Sequence, residues 1–105
     1  MQTHNLDYIN NLADGDHEFE LEITTLLKKE FPKELELFYK KVEENDFLGI
    51  ASSVHKIKYK FSLLGLKEDL IIASKFENVI KTGNKALFVK FESILHKLEQ
   101  YLKTV

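Results

Sequence analysis

The chain has 105 residues and a formal net charge of −2, with 44% hydrophobic and 30% charged residues. This length and composition predict one folded domain spanning residues 1–105, and they argue against disorder or a second domain. The negative charge disfavours a general nucleic-acid binder, and the absence of cysteine excludes disulfides, thiolate metal ligands and a cysteine nucleophile.

The N-terminus has no basic start followed by an apolar stretch, and no run of about 18 apolar residues occurs. We therefore expect a soluble protein that is not secreted. A cytoplasmic location is compatible with the lack of cysteine.

Glycines mark the predicted helix ends. Gly15, Gly65 and Gly83 fall where helical periodicity breaks. A short first helix is predicted from about Leu6 to Ala13. The second helix is expected to begin near Asp16, whose carboxylate can accept hydrogen bonds from the free N–H groups of the first turn.

The second predicted helix extends to about residue 44. Apolar residues recur along it at steps of three and four, which predicts one buried face. These residues are Phe19, Ile23, Leu26, Leu27, Phe31, Leu35, Phe38 and Val42. Pro32 lies inside the segment and cannot donate to the carbonyl of Lys28, so we expect a kink there in preference to two separate helices.

The third predicted helix follows Asn45-Asp46, which is expected to end one helix and cap the next. Its core residues are predicted to be Phe47, Ile50, Val54, Ile57, Phe61 and Leu64. At about 100° per residue, His55 lies roughly 100° from Val54, beside the apolar face and outside it. We therefore expect His55 on the exposed flank of this helix.

Two further helices complete the chain. The fourth is predicted from about Lys67 to Thr82, with Gly83 as its left-handed C-terminal residue, and Asn84 is expected to cap the last helix. The inward residues are Leu66, Leu70, Ala73, Phe76 and Val79 or Ile80 in the fourth, and Leu87, Phe91, Ile94 or Leu95, Leu98 and Leu102 in the last. No segment shows strand periodicity.

Four long helices joined by short loops predict an all-α protein, an antiparallel four-helix bundle with a short extra N-terminal helix. One such bundle accounts for every apolar stripe, so we expect a monomer.

The surroundings of His55 suggest phosphoryl chemistry. The window from His55 to Lys67 contains lysines at 56, 58, 60 and 67 and no acidic residue. A neutral imidazole is a nucleophile near neutral pH. Lys58 lies one turn further on and can bind negative oxygens, Ser62 can offer a hydroxyl, and Ala51 keeps a neighbouring position small. A solvated lysine face with a surface histidine is the ordinary alternative.

The motif and its flanks resemble one protein family. His55, Ile57, Lys58, Gly65 and Leu66 have the spacing of the histidine phosphotransfer (HPt) pattern. Flanking segments also resemble that family: Asp14-Gly15-Asp16 with Phe19 upstream, and Ala73, Phe76 and Glu77 downstream. The resemblance spans about residues 6–82, with the last helix fitting by length and amphipathicity.

The resemblance implies a phosphoryl carrier that relays the group between receiver-domain aspartates in a multistep two-component phosphorelay. His55 would be the phosphoacceptor and Lys58 its charge partner, and the helical wheel adds Ser62 as a candidate hydrogen-bond donor. The implied partners are a hybrid sensor kinase and a response-regulator receiver domain, docked on a surface that comprises Ala51, Lys56, Tyr59, Lys60 and Gly65. The chain would need no cofactor, since magnesium belongs to the receiver, and it would have no kinase activity.

Tyr59 departs from the family pattern, which often has glycine directly after the lysine. It would either crowd an incoming receiver or anchor it as an aromatic contact. The second functional hypothesis is a degenerate bundle that binds a receiver or kinase without phosphorylation. His4, His17 and His96 lack the spacing of a metal site, and Glu77 is a candidate for orienting groups near His55 from the adjacent helix.

Overall fold

A computed structural model describes residues 6–105 and shows five α-helices, with no strand in that range. They are α1 (Asp7–Ala13), α2 (His17–Glu43), α3 (Phe47–Leu63), α4 (Lys67–Ile80) and α5 (Phe88–Leu102). The all-helical fold and the order of its helices confirm the sequence predictions. None of the helices in residues 6–105 is both long and apolar enough to cross a membrane.

Two aspartates begin the longest helices, as expected. Asp16 Oδ1 accepts a hydrogen bond from the Phe19 amide at 3.0 Å, and Asp46 Oδ1 accepts one from the Gly49 amide at 2.9 Å. Each carboxylate satisfies an amide that has no partner within its own helix. The first turns of α2 and α3 are therefore set by residues that the sequence already indicated.

The connection between α4 and α5 differs in part from the prediction. Gly83 has a φ of +85°, the left-handed conformation expected after α4. The predicted cap at Asn84 is wrong, because α5 begins at Phe88 and its N-cap position, Leu87, makes no side-chain cap. Asn84 Oδ1 instead accepts a hydrogen bond from the Ala86 amide at 2.9 Å. A short asparagine side chain readily bonds to the backbone two residues on and stabilises a turn.

The four longer helices contact one another in a closed ring: α2 packs on α3, α3 on α4, α4 on α5, and α5 on α2. α1 packs on α2, which continues through Pro32 as one helix. At 1.5 Å per residue α2 is about 40 Å long, close to the 44 Å longest dimension of the molecule. α2 therefore sets the length of the fold.

Phe91 of α5 lies at the centre of the core. Its ring centroid is 5.5 Å from that of Phe38, 6.3 Å from that of Phe61 and 5.0 Å from that of Phe76. Those three rings belong to α2, α3 and α4, and all four side chains are fully buried. Aromatic pairs at such separations contribute beyond the area that they bury. This cluster therefore ties the four helices together.

The predicted buried face of α2 was too wide. Phe19 is 39% exposed and Leu26 is 52% exposed, whereas Leu27 and Phe38 are buried. Phe19 and Leu26 lie roughly 100–120° around the helix from Phe38, which places them on a flank that the neighbouring helices leave open. One bundle thus leaves part of an apolar stripe uncovered. We predicted a monomer because one bundle was expected to cover every apolar stripe, and that reason no longer holds.

Candidate functional site

His55 lies on the exposed side of α3, where the helical wheel placed it. Its side chain is 70% exposed, while Val54 and Ile57 on the core side are fully buried. Because the ring is held by an α-helix with a packed inner face, its Cα is fixed while its imidazole stays accessible.

Glu77 joins His55 to Lys58 from the adjacent helix. Glu77 Oε1 lies 2.7 Å from Lys58 Nζ, and Glu77 Oε2 lies 3.2 Å from His55 Nδ1. Lys58 Nζ also donates to Ser74 Oγ at 3.4 Å, one turn earlier on α4. The packing of α4 on α3 therefore assembles a polar cluster of four side chains. We call His55, Lys58, Ser74 and Glu77 the α3–α4 cluster.

Glu77 is ionised at neutral pH. Burial alone raises the pKa of its carboxyl, but the hydrogen bonds and charges of Lys58 and then His55 outweigh burial and hold the pKa below its usual value. An ionised carboxylate only accepts hydrogen bonds, so the 3.2 Å contact requires His55 Nδ1 to be the donor. In the neutral ring, Nε2 then carries the lone pair.

Lys58 is less free than the sequence suggested. Its side chain is 20% exposed, and its ammonium group contacts Glu77 and Ser74 on α4. The lysine expected to bind the oxygens of a phosphoryl group on His55 is thus already paired with a carboxylate. Sequence reasoning noted Glu77 as a neighbour but missed Ser74; the signal was their spacing of three residues, which puts them on one face of α4.

Of the five residues predicted to form the docking surface, two are exposed. Lys56 is exposed, and Tyr59 is 65% exposed. Leu48 is 69% exposed and seven residues before His55, so it shares the same side of α3. The sequence analysis missed Leu48, although its spacing was visible. An exposed surface around His55 therefore combines apolar and basic groups.

Lys60 does not belong to that surface, and its prediction as a partner contact is corrected. It is 2% exposed, and its Nζ lies 2.7 Å from Glu34 Oε1 and 3.4 Å from Glu30 Oε1, both on α2. Five residues correspond to about 140° around the helix, which turns Lys60 away from His55. Its aliphatic stem is buried while its ammonium reaches two carboxylates.

Three further predicted residues occupy other positions. Ala51 is 3% exposed, so it packs in the core and offers no contact surface, which corrects that prediction. Gly65 is half-buried and has a φ of +70°, which ends α3. Ser62 is exposed but lies roughly 10 Å along the axis from His55. The α3–α4 cluster does not include it.

The other histidines form no comparable site. His17 and His96 are exposed, and His96 Nδ1 lies 3.9 Å from Glu99. In residues 6–105 no three histidine or acidic side chains are grouped so that they could hold a metal ion. His4 lies outside the described residues.

Comparisons with protein-family models, with curated proteins and with solved structures each find no match. A function must therefore be inferred from the chemistry of the described residues.

Proposed function

We propose that the chain is a histidine phosphotransfer protein that accepts and donates a phosphoryl group at His55 Nε2. One observation carries the proposal: an exposed imidazole whose Nδ1 donates to an ionised carboxylate, at 3.2 Å from Glu77. This arrangement leaves Nε2 as the nucleophilic nitrogen of an accessible ring. The HPt-like spacing around His55 supports the same chemistry.

The fold supports the proposal as well. We interpret the ring of α2, α3, α4 and α5 as an antiparallel four-helix bundle, with α1 added at one end. Three-residue connections at 14–16, 44–46 and 64–66 are short enough to reverse the chain between packed helices. In such a bundle a central helix presents a convex flank, and a second protein can approach His55 there along the line that phosphoryl transfer requires.

The transfer step uses few groups of the chain. The Nε2 lone pair forms a bond to the phosphorus of an aspartyl phosphate, and the bond from phosphorus to the aspartate oxygen breaks with its electron pair. The receiver recovers its carboxylate. The Nδ1 proton stays on the ring, so the product is a cationic imidazole that carries the phosphoryl group. The Glu77 carboxylate stabilises that positive charge, and the reverse sequence delivers the group to the next aspartate.

The proposed partners are receiver domains, which carry acidic active sites. Lys56 supplies positive charge beside His55, and Leu48 and Tyr59 supply exposed apolar area on the same side of α3. Opposite charge steers association, and aromatic residues commonly anchor interfaces. Magnesium would be bound by the receiver. The chain acts as a carrier between a hybrid sensor kinase and a response regulator in the cytoplasm, without kinase activity of its own.

The test is transfer from phosphorylated receiver domains, assayed as acid-labile, base-stable phosphate. We expect label on the wild-type chain and on the control His96→Gln, and none on His55→Gln. His96 is a suitable control because it is exposed on α5 and lies outside the α3–α4 cluster. Failure of every receiver tried, cognate ones included, would refute the function. Label that persists in His55→Gln would refute the site.

Tyr59 favours a second candidate, a bundle that binds receivers without chemistry. Tyr59 is 65% exposed and lies one turn from His55, where it can obstruct approach to the imidazole. This candidate predicts tight receiver binding without label, unchanged by His55→Ala. Tyr59→Ala separates the roles of the ring, because transfer accelerates if Tyr59 obstructs and receiver affinity falls if Tyr59 anchors.

A further inference from the structure

We infer that Lys58 is a positioning residue that acts on His55 through Glu77, and that it is not a direct ligand of the phosphoryl group. The inference rests on the proposed function of His55. It assigns Lys58 a different role from the phosphate charge partner that the sequence suggested.

The first step concerns where the ammonium group is held. Lys58 Nζ lies 2.7 Å from Glu77 Oε1 and 3.4 Å from Ser74 Oγ. An ammonium has three N–H donors, so two of them face α4. The Lys58 side chain is 20% exposed, in contrast to 70% for His55. Lys58 is therefore directed at the neighbouring helix more than at the solvent that a receiver must cross.

The second step concerns the order of the three groups. Glu77 uses Oε1 for Lys58 and Oε2 for His55 Nδ1. The carboxylate thus bridges the ammonium and the ring. A phosphoryl group on Nε2 is bonded to the other ring nitrogen, away from the Glu77 contact. If the Lys58 ammonium moved to the phosphoryl group, it would give up its 2.7 Å contact with Glu77 Oε1.

The third step is the cost of that move. The Glu77 side chain is only 13% exposed, so without Lys58 its negative charge would be poorly hydrated. Removing one partner from a buried ion pair is strongly destabilising because the remaining charge is left uncompensated. The cationic ring produced by transfer also needs that carboxylate in its ionised form. Lys58 thus serves transfer best by staying on Glu77, where it keeps the carboxylate ionised and aimed at Nδ1.

The role has a spectroscopic signature that is independent of phosphoryl transfer. In the wild type, ¹⁵N NMR of neutral His55 should show the proton on Nδ1. In Lys58→Met we expect the proton to shift toward Nε2, the form that free histidine prefers, because Glu77 has lost its anchor. Lys75→Met is the matched control, since Lys75 is an exposed lysine of α4 on a different face from Glu77. An unchanged tautomer in Lys58→Met would overturn the inference.

A double-mutant cycle then tests the role in the reaction. Phosphoramidate is the donor, so no receiver contact is involved; its P–N bond breaks and ammonia leaves as the bond to Nε2 forms. We expect Lys58→Met to slow labelling about tenfold in the otherwise wild-type chain, but by no more than about twofold in a Glu77→Gln background. The second effect is smaller because both substitutions interrupt the same contact from Lys58 through Glu77 to His55. Equal slowing in both backgrounds would show direct contact with the phosphoryl group and would overturn the inference.

Failure of the proposed function and failure of the inference about Lys58 would give different results. Absence of label on the wild type from every phosphodonor refutes the proposed function, whereas the tautomer measurement still decides whether Lys58 acts through Glu77. Circular dichroism of each variant verifies that the helices are retained.

Discussion

Lys60 gives the sharpest test of how α2 and α3 are held together. Its side chain is 2% exposed, and its ammonium lies 2.7 Å from Glu34 and 3.4 Å from Glu30. Lys60→Met keeps most of the buried stem and removes the charge. Breaking a fully buried pair costs about 3–5 kcal/mol. Here Glu34 and Glu30 are 22% and 48% exposed and can regain water, so we expect a loss of about 2 kcal/mol.

Chemical denaturation followed by circular dichroism measures this loss as a change in the free energy of unfolding. For a domain of this size, about 2 kcal/mol corresponds to a fall in Tm of roughly 8–16 °C. Lys56→Met is the matched control, since it removes an exposed lysine from the same helix and should change stability by less than about 0.5 kcal/mol.

A rescue variant separates charge from packing. Adding Glu34→Leu to Lys60→Met removes the carboxylate left behind, and we expect much of the lost stability to return, because apolar replacements of buried ion pairs are often neutral or stabilising. Phosphoryl transfer to His55 should persist in both variants. A stability loss below about 0.5 kcal/mol in Lys60→Met would refute this explanation of the α2–α3 contact.

Three other predictions concern the core and two ionisable groups. Phe91→Ala should cost about 3–5 kcal/mol in denaturation, because it empties the centre of the aromatic cluster; a loss near 1 kcal/mol would contradict that position. Burial, followed by the hydrogen bond to Glu92, raises the pKa of Tyr39 to about 12. The stability that protonated Tyr39 contributes is present below its ordinary pKa of 10.0 and is lost as the pH rises through about 12. A titration followed by phenolate absorbance should therefore show an ionisation near pH 12 that is missing in Tyr39→Phe. The pKa of Glu77 is lowered, so the stability that its carboxylate contributes is present above the ordinary value of 4.5 and is lost as the pH falls through the lowered value. The difference in stability between the wild type and Glu77→Gln should therefore shrink in acid. A difference that grows in acid would contradict the pairing with Lys58.

Local periodicity predicted much of the fold. The five helices, the caps at Asp16 and Asp46, and the left-handed Gly83 all follow from residues within a few positions of one another. The same reasoning placed His55 beside the core face of α3, because a helical wheel needs only one reference residue. Such features are set by the chain's own geometry and need no knowledge of its neighbours.

The errors arose where a second helix decides the outcome. Lys60 was predicted as a surface contact because lysine usually is one, yet carboxylates of α2 accommodate it in a buried position. Phe19 and Leu26 were predicted in the core because their spacing fits, yet none of the helices within residues 6–105 covers that flank of α2. Periodicity shows which residues share a face and leaves open what packs on it.

The α3–α4 cluster also combines a feature visible in the local sequence with one that depends on the packing of a second helix. His55 and Lys58 are visible as a pair in the sequence, whereas the carboxylate between them comes from Glu77, on another helix. Only the packing of α4 on α3 reveals that Lys58 is paired and that Nδ1 is the donating nitrogen. The sequence thus indicated the candidate residue, and the structure shows that its Nδ1 contacts Glu77, which leaves Nε2 as the proposed site of transfer.

The central claim is that His55 carries a phosphoryl group on Nε2, and NMR of the ¹⁵N-histidine-labelled chain after reaction with a phosphorylated receiver tests it most directly. We expect a ³¹P resonance coupled to the Nε2 nitrogen of His55, lost in His55→Gln. A phosphorus resonance coupled to Nδ1 or to another histidine, or no phosphohistidine resonance with any receiver, would contradict the claim.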